Sequence, residues 1–136
     1  MSVWRAAACS MIAGLLWCGA GSAALAVDLD GAWADNPSAC AKIFTKRGKV
    51  VAFAEDADLH GSGLIFEGNR IKGKMASCSI KSQKQDGDVR HLLMTCSTDV
   101  ALETVQLSLK IDGENAITRI FPGMPELQMS YARCPL

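Results

Sequence analysis

Residues 61–98 read GSGLIFEGNR IKGKMASCSI KSQKQDGDVR HLLMTCST. Two turn signals punctuate the stretch, Glu67-Gly68-Asn69-Arg70 and Gln85-Asp86-Gly87-Asp88, each between apolar-rich runs. That is the pattern of two consecutive β-hairpins. Closing the second turn as a three-residue loop, Asp86-Gly87-Asp88, sets Gln85 against Val89 and Cys78 opposite Cys96. Facing Cβ atoms on antiparallel strands lie about 4.5–5.5 Å apart, close to the span a disulfide needs. The register thus predicts a Cys78–Cys96 bridge. The inward set changes parity on the way: Ile71, Gly73 and Met75 are odd, whereas Ala76, Cys78 and Ile80 are even. A β-bulge near Met75-Ala76 reconciles the two. Met75 and Met94 then belong to the core, and His91, alternating with Leu92 and Met94, points outward and is exposed.

Upstream, Asn36 suits a helix N-cap and Pro37 the first helical position, which predicts a short helix to about Phe44. Cys40 sits on it, with Ile43 and Phe44 toward the core. Val50 to Ala54 is rich in strand formers, and residues 55–61 form a polar loop. Downstream, Val105, Leu107, Leu109 and Ile111 alternate with polar residues, the mark of a half-buried strand. Asp112-Gly113-Glu114-Asn115 turns the chain into Ala116 to Phe121, and Leu127 to Cys134 is a closing strand. The expected fold is all-β, a small antiparallel barrel or sandwich of seven or eight strands with one short N-terminal helix.

The chain begins with a segment patterned as a secretory signal: Arg5, an apolar run to Trp17, and Ala24-Leu25-Ala26 as an A-x-A cleavage pattern. Glycines and Ser22 break the run well short of a membrane span. Residues 1–26 are therefore expected to be removed, leaving residues 27–136 as one domain with a modest core. The whole chain carries 14 Lys and Arg against 14 Asp and Glu, and only Arg5 leaves with the signal. Such a balance, with no long basic run, gives no electrostatic reason for nucleic-acid binding. No segment after residue 26 is apolar enough to span a bilayer. Cys40, Cys78, Cys96 and Cys134 remain, an even number in an exported chain. No two are near neighbours as zinc ligands are. With Cys78 and Cys96 paired by register, Cys40–Cys134 follows by elimination.

Asp56-x-Asp58-x-His60-Gly61-x5-Glu67 copies a calcium loop at its first, third, sixth and twelfth positions. His60 stands where an oxygen ligand is needed, Gly63 where an apolar residue is usual, and the flanks read as strands. Tight calcium binding is not expected, and no metal or cofactor is assigned. For catalysis, His60 and His91 are the only histidines, and no G-x-S-x-G elbow is present. No enzyme activity is expected. Met124, between Gly123 and Pro125, lies in an apolar loop that either contacts a partner or folds over one end of the barrel.

Gly31-x-Trp33 near the start, with Arg133 two residues after Tyr131 near the end, resembles the lipocalin-like (calycin) arrangement. That resemblance implies an arginine packed over the tryptophan where the barrel closes. Ser62-Gly63-x-x-Phe66 resembles the S-G-x-x-Y motif of bacterial C-type lysozyme inhibitors, with Phe66 in the tyrosine's place. The family's second motif, which bears tryptophan and lysine, has no counterpart. The chain as a whole resembles the small exported proteins of Gram-negative bacteria, a likeness that brings no function with it. The expected function is a non-enzymatic module, periplasmic or secreted, that binds an envelope or extracellular protein such as a muramidase. Candidate binding residues are His60, Ser62, Gly63, Phe66 and Met124. The alternative is a lipocalin-like carrier of a small apolar ligand, for which a chain this short leaves little interior room.

Overall fold

Period-two alternation of apolar side chains makes a strand with one face to bury, and a set of such strands buries it most completely by closing on itself. The computed structural model describes residues 26–136; the signal expected over residues 1–26 lies, apart from Ala26, outside the described residues. The strands are β1 (Gly31–Ala34), β2 (Phe44–Arg47), β3 (Val50–Phe53), β4 (Gly63–Glu67) and β5 (Arg70–Lys72). They continue with β6 (Ser77–Asp86), β7 (Val89–Ser97), β8 (Leu102–Gly113), β9 (Ala116–Ile120) and β10 (Gln128–Arg133). Eight of them form a closed antiparallel barrel in the order β1-β10-β9-β8-β7-β6-β5-β4, while β2 and β3 make a separate hairpin. From β4 to β10 the barrel is a meander, and β1 seals it between β10 and β4. Closure leaves no unpaired edge on the barrel.

The hairpins differ from the expected register in an instructive way. The β6–β7 turn is a two-residue loop, Gly87-Asp88, so Asp86 faces Val89 and Gln83 faces Leu92. Gly87 takes φ of 61° at the first loop position, which matches the strand twist and suits glycine. The pairing should therefore be offset by one at the cysteines. It is not, because the register shifts between Ile80 and Ser82, which restores Ile80 against Met94 and Cys78 against Cys96. One bulged residue cancels the shorter loop. The parity change near Met75 has a different cause from the one expected. It is a chain reversal rather than a bulge: Gly73 N–H donates to Ala76 O at 2.8 Å, and β5 and β6 pair as neighbours with Ile71 facing Cys78. Met75 sits on that reversal and is 74% exposed, so it is not a core residue.

Two cores result. Inside the barrel, Trp33, Phe66, Ile71, Leu92, Met94, Leu107, Leu109, Ile117 and Tyr131 pack with the Cys78–Cys96 bridge. The second core lies outside the wall. Ala32, Ala34 and Ile65 are on the outer face of β1 and β4, and Ile43, Phe44 and Ala57 cover them. A 3₁₀ turn (Pro37–Ala39) leads into α1 (Cys40–Ile43), and the β2–β3 hairpin follows. The Asn36 side chain makes no cap to the helix; instead it accepts from Ser38 Oγ at 2.7 Å and donates to His60 O at 3.3 Å. The Cys40–Cys134 disulfide ties this outer layer to the end of the last strand. Trp33 is fully buried and donates from Nε1 to Leu29 O at 2.8 Å.

Candidate functional site

The meander sorts its connections onto two ends. One end carries residues 26–30 and the β4–β5, β6–β7 and β8–β9 turns, built on Gly68-Asn69, Gly87-Asp88 and Glu114-Asn115. The other, the loop end, carries residues 35–62 and the β5–β6, β7–β8 and β9–β10 connections. Each connection of the loop end puts a large apolar side chain into solvent: Leu59, Met75, Val100 and Met124, the last 47% exposed. Leu102 and Leu127 add to them.

Ser62 lies on this end and is held by its backbone. Its N–H donates to Asp35 Oδ1 at 2.8 Å, and its C=O accepts from Asp35 N–H at 3.0 Å. The Tyr131 phenol, buried just beneath, has Arg119 and the Ser62 side chain beside its hydroxyl and the Asp35 carboxylate near. Burial pushes the phenol's pKa above a tyrosine's ordinary 10.0, the Arg119 charge opposes that rise, and Asp35 adds to it. The Arg119 guanidinium stacks 4.6 Å from the centroid of Phe121, a cation–π geometry. The phenol itself donates to Met129 Sδ at 3.9 Å, and polar side chains at this mouth are ringed by apolar loop tips.

The residues singled out from the sequence are spread over different environments. His60 is half-buried and its Nε2 lies 3.4 Å from Asp56 Oδ2. Gly63 is buried, and a Cβ there would stand 2.5 Å from Phe44 Cζ and 2.8 Å from Trp33 O, so glycine is required for packing. Phe66 lies inside the barrel, 2% exposed, and offers no surface to a partner. Met124 is on the loop end beyond Ser62. His91 points outward as expected but is not free in solvent: its Nδ1 lies 2.8 Å from the hydroxyl of Ser108, which is 1% exposed. Trp33 and Arg133 meet at the far end. The guanidinium lies 4.3 Å from the indole centroid and donates to the carbonyls of Asp28, Asp30 and Glu114, tying residues 26–30 and the β8–β9 turn over the tryptophan.

The calcium-like motif is dispersed by the fold. Asp56 faces His60, Asp58 faces Lys74 at 3.6 Å, and Glu67 pairs with Lys72 at 2.8 Å. Glu67 is at the opposite end of β4 from the other two. Among the described residues no cluster of His, Cys, Asp and Glu is arranged to hold a metal. A cleft of about 680 Å³ opens at the far end between Val27, Gln83, Gln85, Asp88, Arg90 and Ile111. Asp35, Arg119 and Tyr131 escaped the sequence reading because they lie far apart in the chain and match no motif. Only the pairing of β9 with β10 and the return of residues 35–62 to β4 bring them together. Set against protein-family models, curated proteins and solved structures, the chain matches none.

Proposed function

We propose that this chain is an exported, non-enzymatic binding module that grips an envelope or extracellular protein with the loop end of its barrel. The observation that carries the reading is the asymmetry between the two ends. Glycine, asparagine, aspartate and glutamate make the turns of one, while all four connections of the other expose a large apolar side chain. Apolar tips around a polar centre are what a protein interface presents, with desolvated anchors around a few oriented hydrogen bonds. The Cys78–Cys96 bridge lies next to the β5–β6 and β7–β8 connections and Cys40–Cys134 fastens the segment of residues 35–62, which lowers the ordering cost of association.

Two disulfides also favour an oxidising compartment, and among the described residues no helix is long and apolar enough to cross a membrane. A periplasmic or secreted location accords with both. The resemblance of Ser62-Gly63 to lysozyme inhibitors makes a muramidase the first partner to test. The Ser62 hydroxyl, on a backbone fixed by Asp35, is the group that would approach its catalytic carboxylates. A carrier of an apolar ligand is less favoured, because aromatic and aliphatic side chains fill the interior and the cleft at the far end is lined by Gln83, Gln85 and Arg90 among others.

The test is capture from an envelope extract supplemented with muramidases, alongside a muramidase activity assay. Capture should be lost in a Val100→Asp, Met124→Asp double variant, and muramidase inhibition should weaken in Ser62→Ala. Full muramidase activity in excess protein removes the inhibitor subtype. Turnover of a substrate that disappears in His60→Ala or His91→Ala overturns the binding-module reading altogether.

A further inference from the structure

The barrel has no open edge, but the hairpin outside it has one facing a groove. In a two-residue hairpin the residues flanking the loop are hydrogen-bonded to each other, so Val50 and Ala52 turn their backbone groups toward β2. Ala54 N–H donating to Ile43 O at 2.9 Å continues the same alternation. The amides and carbonyls of Val51 and Phe53 therefore point the other way, and among the described residues β3 pairs only with β2. On that side a groove of about 460 Å³ runs between β3 and the outer wall of the barrel. Ile65, Lys74, Met75 and Ala76 contribute to its lining.

We propose that β3 is a docking edge for an extended peptide segment of another protein, in which apolar and acidic residues alternate. An unpaired strand beside an apolar trough has what β-strand addition requires: main-chain hydrogen bonds for affinity and a surface for alternate side chains. Charge decides the occupant. Lys72 and Lys74 line the groove and Asp99 is the one acid among its lining residues. Glu67 and Asp58 pair with these lysines from outside the lining, Lys74 Nζ also donates to the carbonyls of Ala54 and Glu55 just past β3, and Lys46, Arg47 and Lys49 crowd the hairpin tip. A second copy adding its own β3 would bring another basic tip against these lysines. An acidic strand meets Lys72, Lys74 and the basic tip, with Asp99 the one acid of the lining to oppose it. The site goes beyond the loop-end reading, which rests on the loop tips; the two share the β5–β6 and β7–β8 connections, Met75 included, as one wall of the groove.

The test is fluorescence anisotropy of the disulfide-bonded protein with labelled peptides of alternating valine and glutamate, and of alternating valine and lysine. The glutamate peptide should bind and the lysine peptide should not. Val51→Pro removes an N–H that faces the groove and makes no bond to β2, a substitution an edge strand tolerates. It should weaken binding by about tenfold, the equivalent of one or two net hydrogen bonds. N-methylating alternate residues of the glutamate peptide probes the same bonds without altering the protein, and should abolish binding. Equal binding of both peptides, no binding of either, or full binding of the N-methylated peptide overturns the proposal. Loop-end capture is measured separately, so the two readings fail independently.

Discussion

Gly63 shows how one residue can serve a motif and a fold at once. In the sequence it is the second position of Ser62-Gly63-x-x-Phe66. In the barrel it is the place where β4 leaves the outer layer, and a methyl group there would collide with the Phe44 ring and with the carbonyl oxygen of Trp33. The ring can tilt, but the backbone oxygen belongs to a strand paired directly with β4. Overpacking of this kind costs about 1–3 kcal/mol. Gly63→Ala is therefore expected to lower the unfolding free energy by that amount in denaturant titration. An unchanged midpoint would show that the outer layer yields without cost. Phe66 makes the complementary point. Its place in the motif invites a role at a surface, but it alternates with Leu64 on the inner face and is buried.

At the scale of elements, the two disulfides do unequal work. Cys78–Cys96 joins facing residues of one hairpin across a separation of 18 residues, whereas Cys40–Cys134 spans 94 and fastens α1 to the end of β10. Closing a longer loop removes more freedom from the unfolded chain, and the chain-entropy account puts the difference at about 1.5 kcal/mol. Replacing Cys40 and Cys134 by alanine should accordingly destabilise more than replacing Cys78 and Cys96, within the range of about 2–5 kcal/mol for small secreted domains. Paired denaturation curves decide it, and the opposite order would show that the interior position of the hairpin bridge outweighs chain entropy. Non-reduced proteolysis should separate the α1–β2–β3 layer from the barrel only after the longer bridge is removed.

For the whole molecule, Tyr131, the single tyrosine of the chain, is buried with the barrel core. Burial raises its pKa above 10.0 in the folded protein, while in the unfolded chain it returns to the ordinary value. Below pH 10 the phenol is neutral in both states and its contribution is intact. As pH rises past 10, the unfolded chain ionises first, so stability falls until the folded-state pKa is passed. Tyrosinate absorbance should show the folded protein titrating later than the unfolded one. Tyr131→Phe should flatten the alkaline decline in unfolding free energy. A folded-state titration at or below the unfolded one would mean that Arg119 outweighs burial.

The all-β class, the strand-forming runs and the disulfide pairing were legible in the sequence because they depend on local chemistry: period-two alternation, glycine at turns, and an even number of cysteines. Even there, Cys78 and Cys96 face each other only because the bulge between Ile80 and Ser82 offsets a loop one residue shorter than the spacing suggested. Nothing in the residues around Lys81 signals that bulge. The reversal at residues 73–76 passed for continuous strand for the same reason, since a tight turn and a bulge change parity alike. Tertiary structure alone decided that Ile43 and Phe44 cover the outside of the barrel, that Phe66 turns inward, and that Asp35, Arg119 and Tyr131 converge beside Ser62. Those outcomes depend on which strand lies beside which, and barrel closure sets that through contacts between residues far apart in the chain.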